Sequence, residues 1–245
     1  MNQLIILNID MSYGETHDMI HPVVLCDETN RVLIDCGYIG ALQKIEEALR
    51  CNKIMPEEIT HILLTHQDHD HVGAAAVFKK QYPKVKILTS AIEAPYISGN
   101  LKSLRLEQAE EMQKGLPAKM QEFGKSFCNL LRSVEPVPID QLLHDGDELP
   151  FGGGCQVIAT PGHTPGHISI HITDFNTIIS GDAIALEDGK PVIANPQYTL
   201  DMEKANDSLQ RLLTHPAHKI ICYHGGIFNK ELGDKGTGLS SPLIP

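Results

Sequence analysis

The apolar and polar positions of this chain begin in a strand pattern. Val23-Val24-Leu25-Cys26, then the polar Asp27-Glu28-Thr29-Asn30, then Arg31-Val32-Leu33-Ile34-Asp35 read as a hairpin. Gly37 and Gly40 break the run, after which Leu42, Ile45 and Leu49 recur at helical spacing. Pro56-Glu57-Glu58 resembles the first turn of a helix, with acids favouring its dipole. Ile62-Leu63-Leu64 reads as a short buried strand. A helix is expected from near Val72, where Gly73-Ala74-Ala75-Ala76 permits close packing. Lys84-Val85-Lys86-Ile87-Leu88 is the next strand. From Ala91 to about Arg132 the pattern turns helical, interrupted by Gly99, Gly115-Leu116-Pro117 and Gly124. Strands return at Gln156-Val157-Ile158-Ala159-Thr160, from Ile168 to Ile172, at Thr177-Ile178-Ile179-Ser180 and at Lys219-Ile220-Ile221-Cys222-Tyr223. Asp201 is placed to cap a helix reaching about Leu213.

Strands first, then helix and strand in alternation, twice over, predict an α/β chain. The expected organisation is a single domain over residues 1–245, with a helical insertion at about 91–143. That length is ample for a core. The tail after Gly233 is expected to be loosely held. Within the insertion, Met112, Leu116, Met120, Phe123 and Phe127 form an apolar stripe. It reads as core, as the roof of an apolar pocket, or as the face of a homodimer.

Composition narrows the function classes. The formal net charge of -11 supplies no basic footprint, so nucleic acid is not an expected partner. No apolar stretch approaches a membrane span, and the N-terminal residues carry no basic lead of a signal peptide. The six cysteines form no C-x-x-C pair, which predicts a reducing, cytoplasmic setting. Cys36 and Cys222 read as small buried hydrophobes.

The chemistry concentrates in His66-Gln67-Asp68-His69-Asp70-His71, where five of six residues are imidazole or carboxylate behind an apolar strand. Burying such groups costs desolvation energy unless a cation compensates them. A divalent metal is the simplest compensation, and imidazole with carboxylate suits zinc, iron or manganese rather than calcium. Three further strands end in polar clusters: Thr160-Pro161-Gly162-His163-Thr164, Ser180-Gly181-Asp182 and Tyr223-His224-Gly225-Gly226. Such strand ends converge on one edge of a sheet fold.

With these four clusters in this order, from about Val23 to Gly226, the chain resembles the metallo-β-lactamase superfamily. That family's first motif is Thr-His-x-His-x-Asp-His-x-Gly; here it reads Thr65-His66-Gln67-Asp68-His69-Asp70-His71-Val72-Gly73. The resemblance implies a four-layer αββα sandwich with two divalent ions, zinc first and iron or manganese as alternatives. It implies His66, Asp68 and His163 on the first metal, Asp70, His71 and His224 on the second, and Asp182 between them. Asp70 and Asp182 are the candidate catalytic carboxylates. Asp35, in a turn similar to the family's early Asp-x-Gly, is a candidate for fixing a histidine tautomer.

Asp68 departs from the family, which has histidine there. As a ligand it would add negative charge, favour a harder ion and make the bound water less acidic. His69 is the rival ligand should a bulge present it; strand-end alternation puts the two side chains on opposite sides, so the reading takes Asp68. His167 is expected to support the ligands from behind, and His17 and His21 are candidates for lining the pocket. His61, His144, His171, His215 and His218 read as structural or exposed. Tyr96 or Tyr198 could donate to a developing oxyanion, and Tyr96 is the candidate substrate contact.

The implied activity is hydrolysis: a hydroxide held between the metals attacks the carbonyl of a small ester, lactone or thioester. The substrate is a small molecule; neither nucleic acid nor a membrane is an expected partner, and a homodimer is an open expectation. β-Lactamase activity is not expected, and a glutathione-thioesterase lacks its basic C-terminal extension here. The competing classes are a mononuclear iron persulfide dioxygenase using His66, His163 and Asp182, a phosphodiesterase or RNA-processing member of the family, and a non-catalytic binding module.

Overall fold

The computed structural model describes residues 1–12 and 18–230. His17 and the tail after Gly233 lie outside the described residues. Two six-stranded sheets form the middle of the molecule. The first runs in spatial order Gln3–Ile6, Val23–Cys26, Arg31–Ile34, His61–Leu64, Lys86–Ser90, Gln141–Leu143. The second runs Gly226–Asn229, Lys219–Cys222, Thr177–Ile179, Ile168–Ile172, Cys155–Ala159, Glu148–Leu149.

Central strands are apolar on both faces because both faces are covered. One face of the first sheet carries Val23, Leu25, Val32, Ile34, Leu63 and Leu88. These pack on Val157, Ile170, Ile172, Ile179 and Ile221 of the second sheet. The alternate residues Val24, Leu33, Ile62, Leu64 and Ile87 face outward onto Ile45 and Leu49 of the helix Leu42–Cys51 and Phe78 of the helix Ala75–Gln81. On the far side, Ile158, Ile178 and Ile220 pack under Leu212 of the helix Met202–Thr214. The layering is therefore helix, sheet, sheet, helix.

The hairpin turn closes where its residues dictate, with Asp27 Oδ1 accepting from the backbone N–H groups of Thr29 and Asn30 at 2.8 Å each. Asp201 caps its helix by accepting from the Lys204 N–H at 3.1 Å. Three expectations need correction. Pro56–Glu58 is a single 3₁₀ turn, closed by Glu58 on the Met55 N–H at 2.7 Å, and the chain then extends into a strand. The helix expected near Val72 begins with a separate turn, His69–Val72, because tertiary bonds pull the loop round: Cys36 N–H donates to the His71 carbonyl and the Tyr223 hydroxyl to the Asp70 carbonyl. The end of the expected insertion, Gln141–Leu143, is a strand paired in parallel with Lys86–Ser90.

The insertion itself folds as Ala94–Ile97, Leu104–Gly115 and Gln121–Arg132. Its buried seam is Leu106 and Ala109 against Cys128 and Leu131. Of the expected apolar stripe, Met112, Met120 and Phe123 are exposed and only Phe127 packs against that seam. All six cysteines are free, Cys36 and Cys222 fully buried. Among the described residues no helix is long and apolar enough to cross a membrane.

Candidate metal centre

The four polar clusters meet at one edge of the sandwich. In the second sheet the strands leading to His163, Asp182 and His224 all point the same way. The strand His61–Leu64 of the first sheet delivers Thr65 to His71 to the same edge, where the Ile168 N–H donates to the Thr65 carbonyl at 3.1 Å and stitches the sheets together. Two groups of side chains result: Asp70, His71, Asp182 and His224 in one, His66, Asp68 and His163 in the other.

Asp182 reaches both groups. Its Oδ1 lies 3.2 Å from His71 Nε2 and 3.8 Å from His224 Nε2, and its Oδ2 lies 3.5 Å from His163 Nε2. Asp70 Oδ2 is 3.2 Å from His224 Nε2 and 3.7 Å from His71 Nε2. Asp68 Oδ2 is 3.0 Å from His163 Nε2 and 3.6 Å from His66 Nε2. His69 belongs to neither group: its ring stands edge-on to Tyr38 and Phe127, with Nδ1 3.5 Å from Asp70 Oδ1. Burial disfavours charge on Asp182 and His71, but their attraction outweighs it. The Asp182 carboxyl is held well below the usual range and the His71 imidazole well above. Against its burial, Asp182, Asp18 and Asp70 raise His224 to about 10.

Hydrogen bonds behind the clusters aim the donor atoms. Asp35, at a left-handed φ of 62°, accepts from the Thr65 N–H at 2.8 Å and from His71 Nδ1 at 2.8 Å. Asp35 holds the proton on Nδ1, so Nε2 is the atom of His71 that faces the cluster and that would give up its proton to a metal. Thr65 Oγ1 donates to Asp35 and accepts from His66 Nδ1, which likewise frees His66 Nε2. His167 accepts from the Asp182 N–H on Nε2 at 2.9 Å and donates from Nδ1 to Thr160 at 2.8 Å. Burial, with His66 and His163 nearby, pushes the His167 imidazole well below its usual value, so it remains neutral. His66 Nε2, His71 Nε2, Asp68 Oδ1 and Asp182 Oδ1 are buried with no hydrogen-bond partner. Buried polar atoms left bare are costly. Imidazole nitrogens and carboxylate oxygens within 4.8 Å of one another, as in each of the two groups, are a donor set that suits a divalent transition metal.

Arg105 is the residue that sequence reasoning missed. It is the second residue of the helix Leu104–Gly115 and is 3% exposed. Its Nε and Nη2 donate to Asp68 Oδ2 at 3.0 and 2.6 Å, and Nη2 also lies 3.3 Å from His163 Nε2. The guanidinium offsets the negative charge expected from Asp68. Although burial opposes it, Arg105 holds the Asp68 carboxyl well below the usual range. Two signals pointed to it: a buried carboxylate in place of a neutral histidine calls for a cation, and Arg105 falls four residues before Ala109 on the helix's buried side.

The clusters open into a pocket of about 430 Å³. Phe127, Tyr198, Leu186 and Tyr38 supply its apolar walls, and Asp18, Glu187 and His69 line it too. Asp18 accepts from the Tyr38 hydroxyl at 2.6 Å and sits 3.6 Å from His224 Nδ1. No local pattern marked it. Tyr96 lines the adjoining cavity, with Ile97 and Leu106, rather than this pocket. His21 hydrogen-bonds Asn8 and does not line it. His61, His144, His171, His215 and His218 stand outside both groups.

Residues 16–224 match the family model described as the metallo-beta-lactamase superfamily. The chain is 31% identical over 210 residues to the uncharacterized protein YobT of Bacillus subtilis (strain 168), covering 82% of this chain and 81% of that one. It is 29% identical over 227 residues to the "Probable metallo-hydrolase YflN" of the same organism, covering 86% and 83%. The fold is similar to that of a metallo-beta-lactamase family protein from Thermus thermophilus, with a TM-score of 0.70 at 23% identity over 93% of this chain and 75% of that one.

Proposed function

The chain belongs to the metallo-beta-lactamase superfamily, and on that premise we propose that it is a metal-dependent hydrolase of small, uncharged esters, lactones or thioesters. The observation that carries the reading is the set of bare, buried nitrogen and oxygen donors at the floor of the pocket. Asp70, His71, Asp182 and His224 would hold a divalent ion, zinc by its preference for imidazole, with iron or manganese as alternatives. Such an ion supplies a Lewis acid that acidifies water and polarises a carbonyl oxygen.

The protein's own groups supply the rest. Asp35 and Thr65 keep the histidine lone pairs pointed inward. Asp70, open to the pocket, would hold the ion through Oδ2, the oxygen that faces His71 and His224, and its other oxygen, Oδ1, would take the proton released as water adds to the carbonyl and return it to the departing alkoxide or thiolate. Asp182, tied through its N–H to His167, keeps one oxygen on each cluster. The walls argue for an uncharged substrate with an apolar part. Among the described lining residues Asp18 and Glu187 add carboxylates, and the cation Arg105 has its donors committed to protein. An anionic substrate would meet repulsion there.

A panel of uncharged esters, lactones and thioesters, offered to zinc-, iron- and manganese-loaded protein, tests this reading. Turnover of at least one class is expected, abolished by a chelator and by Asp182→Ala. No turnover of any class, with oxygen uptake on a persulfide instead, would overturn it in favour of the iron oxidoreductase.

A further inference from the structure

We propose that the Arg105 guanidinium occupies the place of the first metal, so that this chain binds one divalent ion, at Asp70, His71, Asp182 and His224, beside a fixed organic cation. The inference rests on the metal-centre reading and changes its stoichiometry. A guanidinium has five N–H donors. Here Nε and Nη2 go to Asp68, Nη2 also to His163, and Nη1 to Gln108 and the Tyr198 carbonyl. None remains for substrate, so the group is a locked part of the site.

The lock competes directly with a metal. His163 Nε2 is engaged from both sides, 3.0 Å from Asp68 Oδ2 and 3.3 Å from Arg105 Nη2; protonated it donates to the carboxylate, unprotonated it accepts from the guanidinium, and either way the lone pair a metal would need is not free. Asp68 Oδ2 is likewise engaged twice by Arg105. The bare atoms left in the three-residue cluster are His66 Nε2, Asp68 Oδ1 and His163 Nδ1, the last being the ring nitrogen other than the one that meets Asp68 and Arg105. A third ligand, the number that even an open catalytic zinc site uses, would have to be Asp182, the carboxylate that the His71 and His224 group already engages. With its charge paired to Arg105 at 2.6 Å, Asp68 also offers a divalent ion little net attraction.

The arrangement is built, since the motif itself positions the arginine. Gln67, between His66 and Asp68, accepts from the Leu104 N–H at 2.8 Å through its Oε1 and so caps the helix that carries Arg105. Gln67 is in turn held by the buried Glu93, which accepts from its backbone and side-chain N–H groups at 3.0 Å each. The same carboxylate takes the Gly166 N–H at 2.8 Å and ties in the His163 loop. A histidine-to-aspartate change and an arginine delivered by the insertion thus form one unit, electrically equivalent to a metal-free first site.

Zinc is counted per chain by elemental analysis after chelation, reloading and desalting, alongside calorimetric titration of zinc into the metal-free protein. The wild type is expected to hold one ion and Arg105→Met two. In the cobalt-loaded Arg105→Met protein, the visible absorption should gain a second set of bands. Removing Arg105 strands the Asp68 charge, so Asp68→His/Arg105→Met, which presents three imidazoles, serves if the single variant does not fold; two ions are expected there also. Two ions in the wild type, or one in whichever variant folds, would overturn the proposal while leaving the hydrolase reading intact. No ion in the wild type would overturn the metal-centre reading itself.

Discussion

Single atoms decide whether this site accepts a metal. His71 is useful only with its proton on Nδ1, and Asp35 secures that by accepting it at 2.8 Å. In Asp35→Asn the amide oxygen can still take the Thr65 N–H, which leaves the NH₂ group facing His71 Nδ1. The proton is then driven onto Nε2, the metal side. Zinc affinity is expected to fall about 10- to 100-fold, measured by competition with a chromogenic chelator, with the fold intact by circular dichroism. The same residues give the metal-free protein a distinct pH response. His224 is raised from 6.5 to about 10, and His71 is also raised, so their contribution is complete below pH 6.5 and is lost as pH rises towards 10. Asp182 and Asp70 are lowered, so their contribution is present above pH 3.8 and lost below it. The melting temperature of the metal-free protein should therefore be highest between those limits and fall from pH 6.5 to 9. Zinc needs neutral imidazoles, so the increment it adds should grow over the same interval.

Among the elements, the insertion supplies part of the pocket wall. Its helix Gln121–Arg132 turns Phe127 towards the pocket and leaves Phe123 64% exposed. Phe127→Ala is expected to lower kcat/KM for substrates with an apolar part by the equivalent of about 1–3 kcal/mol, the scale of a lost pocket contact. Phe123→Ala should change neither kcat/KM nor stability by more than about 0.5 kcal/mol, as for other surface substitutions. Steady-state kinetics on paired apolar and small polar esters separates the two. Equal loss for both ester types in Phe127→Ala would make that ring packing alone.

For the whole molecule, the clusters join two sheets. Asp70 and His71 come from the loop after a strand of the first sheet, Asp182 and His224 from strand ends of the second. An ion held by all four would fasten the halves together and, by binding the folded chain, stabilise it. Zinc at 100 times its Kd should add about 2.7 kcal/mol. A chelator should lower the melting temperature accordingly, and the shift should scale with the logarithm of free zinc. A melting temperature indifferent to zinc and chelator would count against an ion shared by the two sheets.

Much of this protein was written locally. The strands Val23–Cys26 and Arg31–Ile34 follow from apolar runs around an Asp27 turn, and the helix Met202–Thr214 from a capping Asp201 and periodic leucines. The dense His66 to His71 run was legible for the same reason, since its neighbours in space are neighbours in sequence. The strand Gln141–Leu143 was not, because a three-residue edge strand has no period of its own and exists through pairing with Lys86–Ser90. Nor was the turn His69–Val72, which is set by bonds from Cys36 and Tyr223. Arg105 shows the limit most clearly. It lies 37 residues from Asp68 in a helix of mostly polar residues, and local pattern cannot say which distant charge it meets. The residues available to hold a metal were determined by the sequence; which of their lone pairs are already taken was decided by the tertiary structure, because burial forces every charge there to find a partner from elsewhere in the chain.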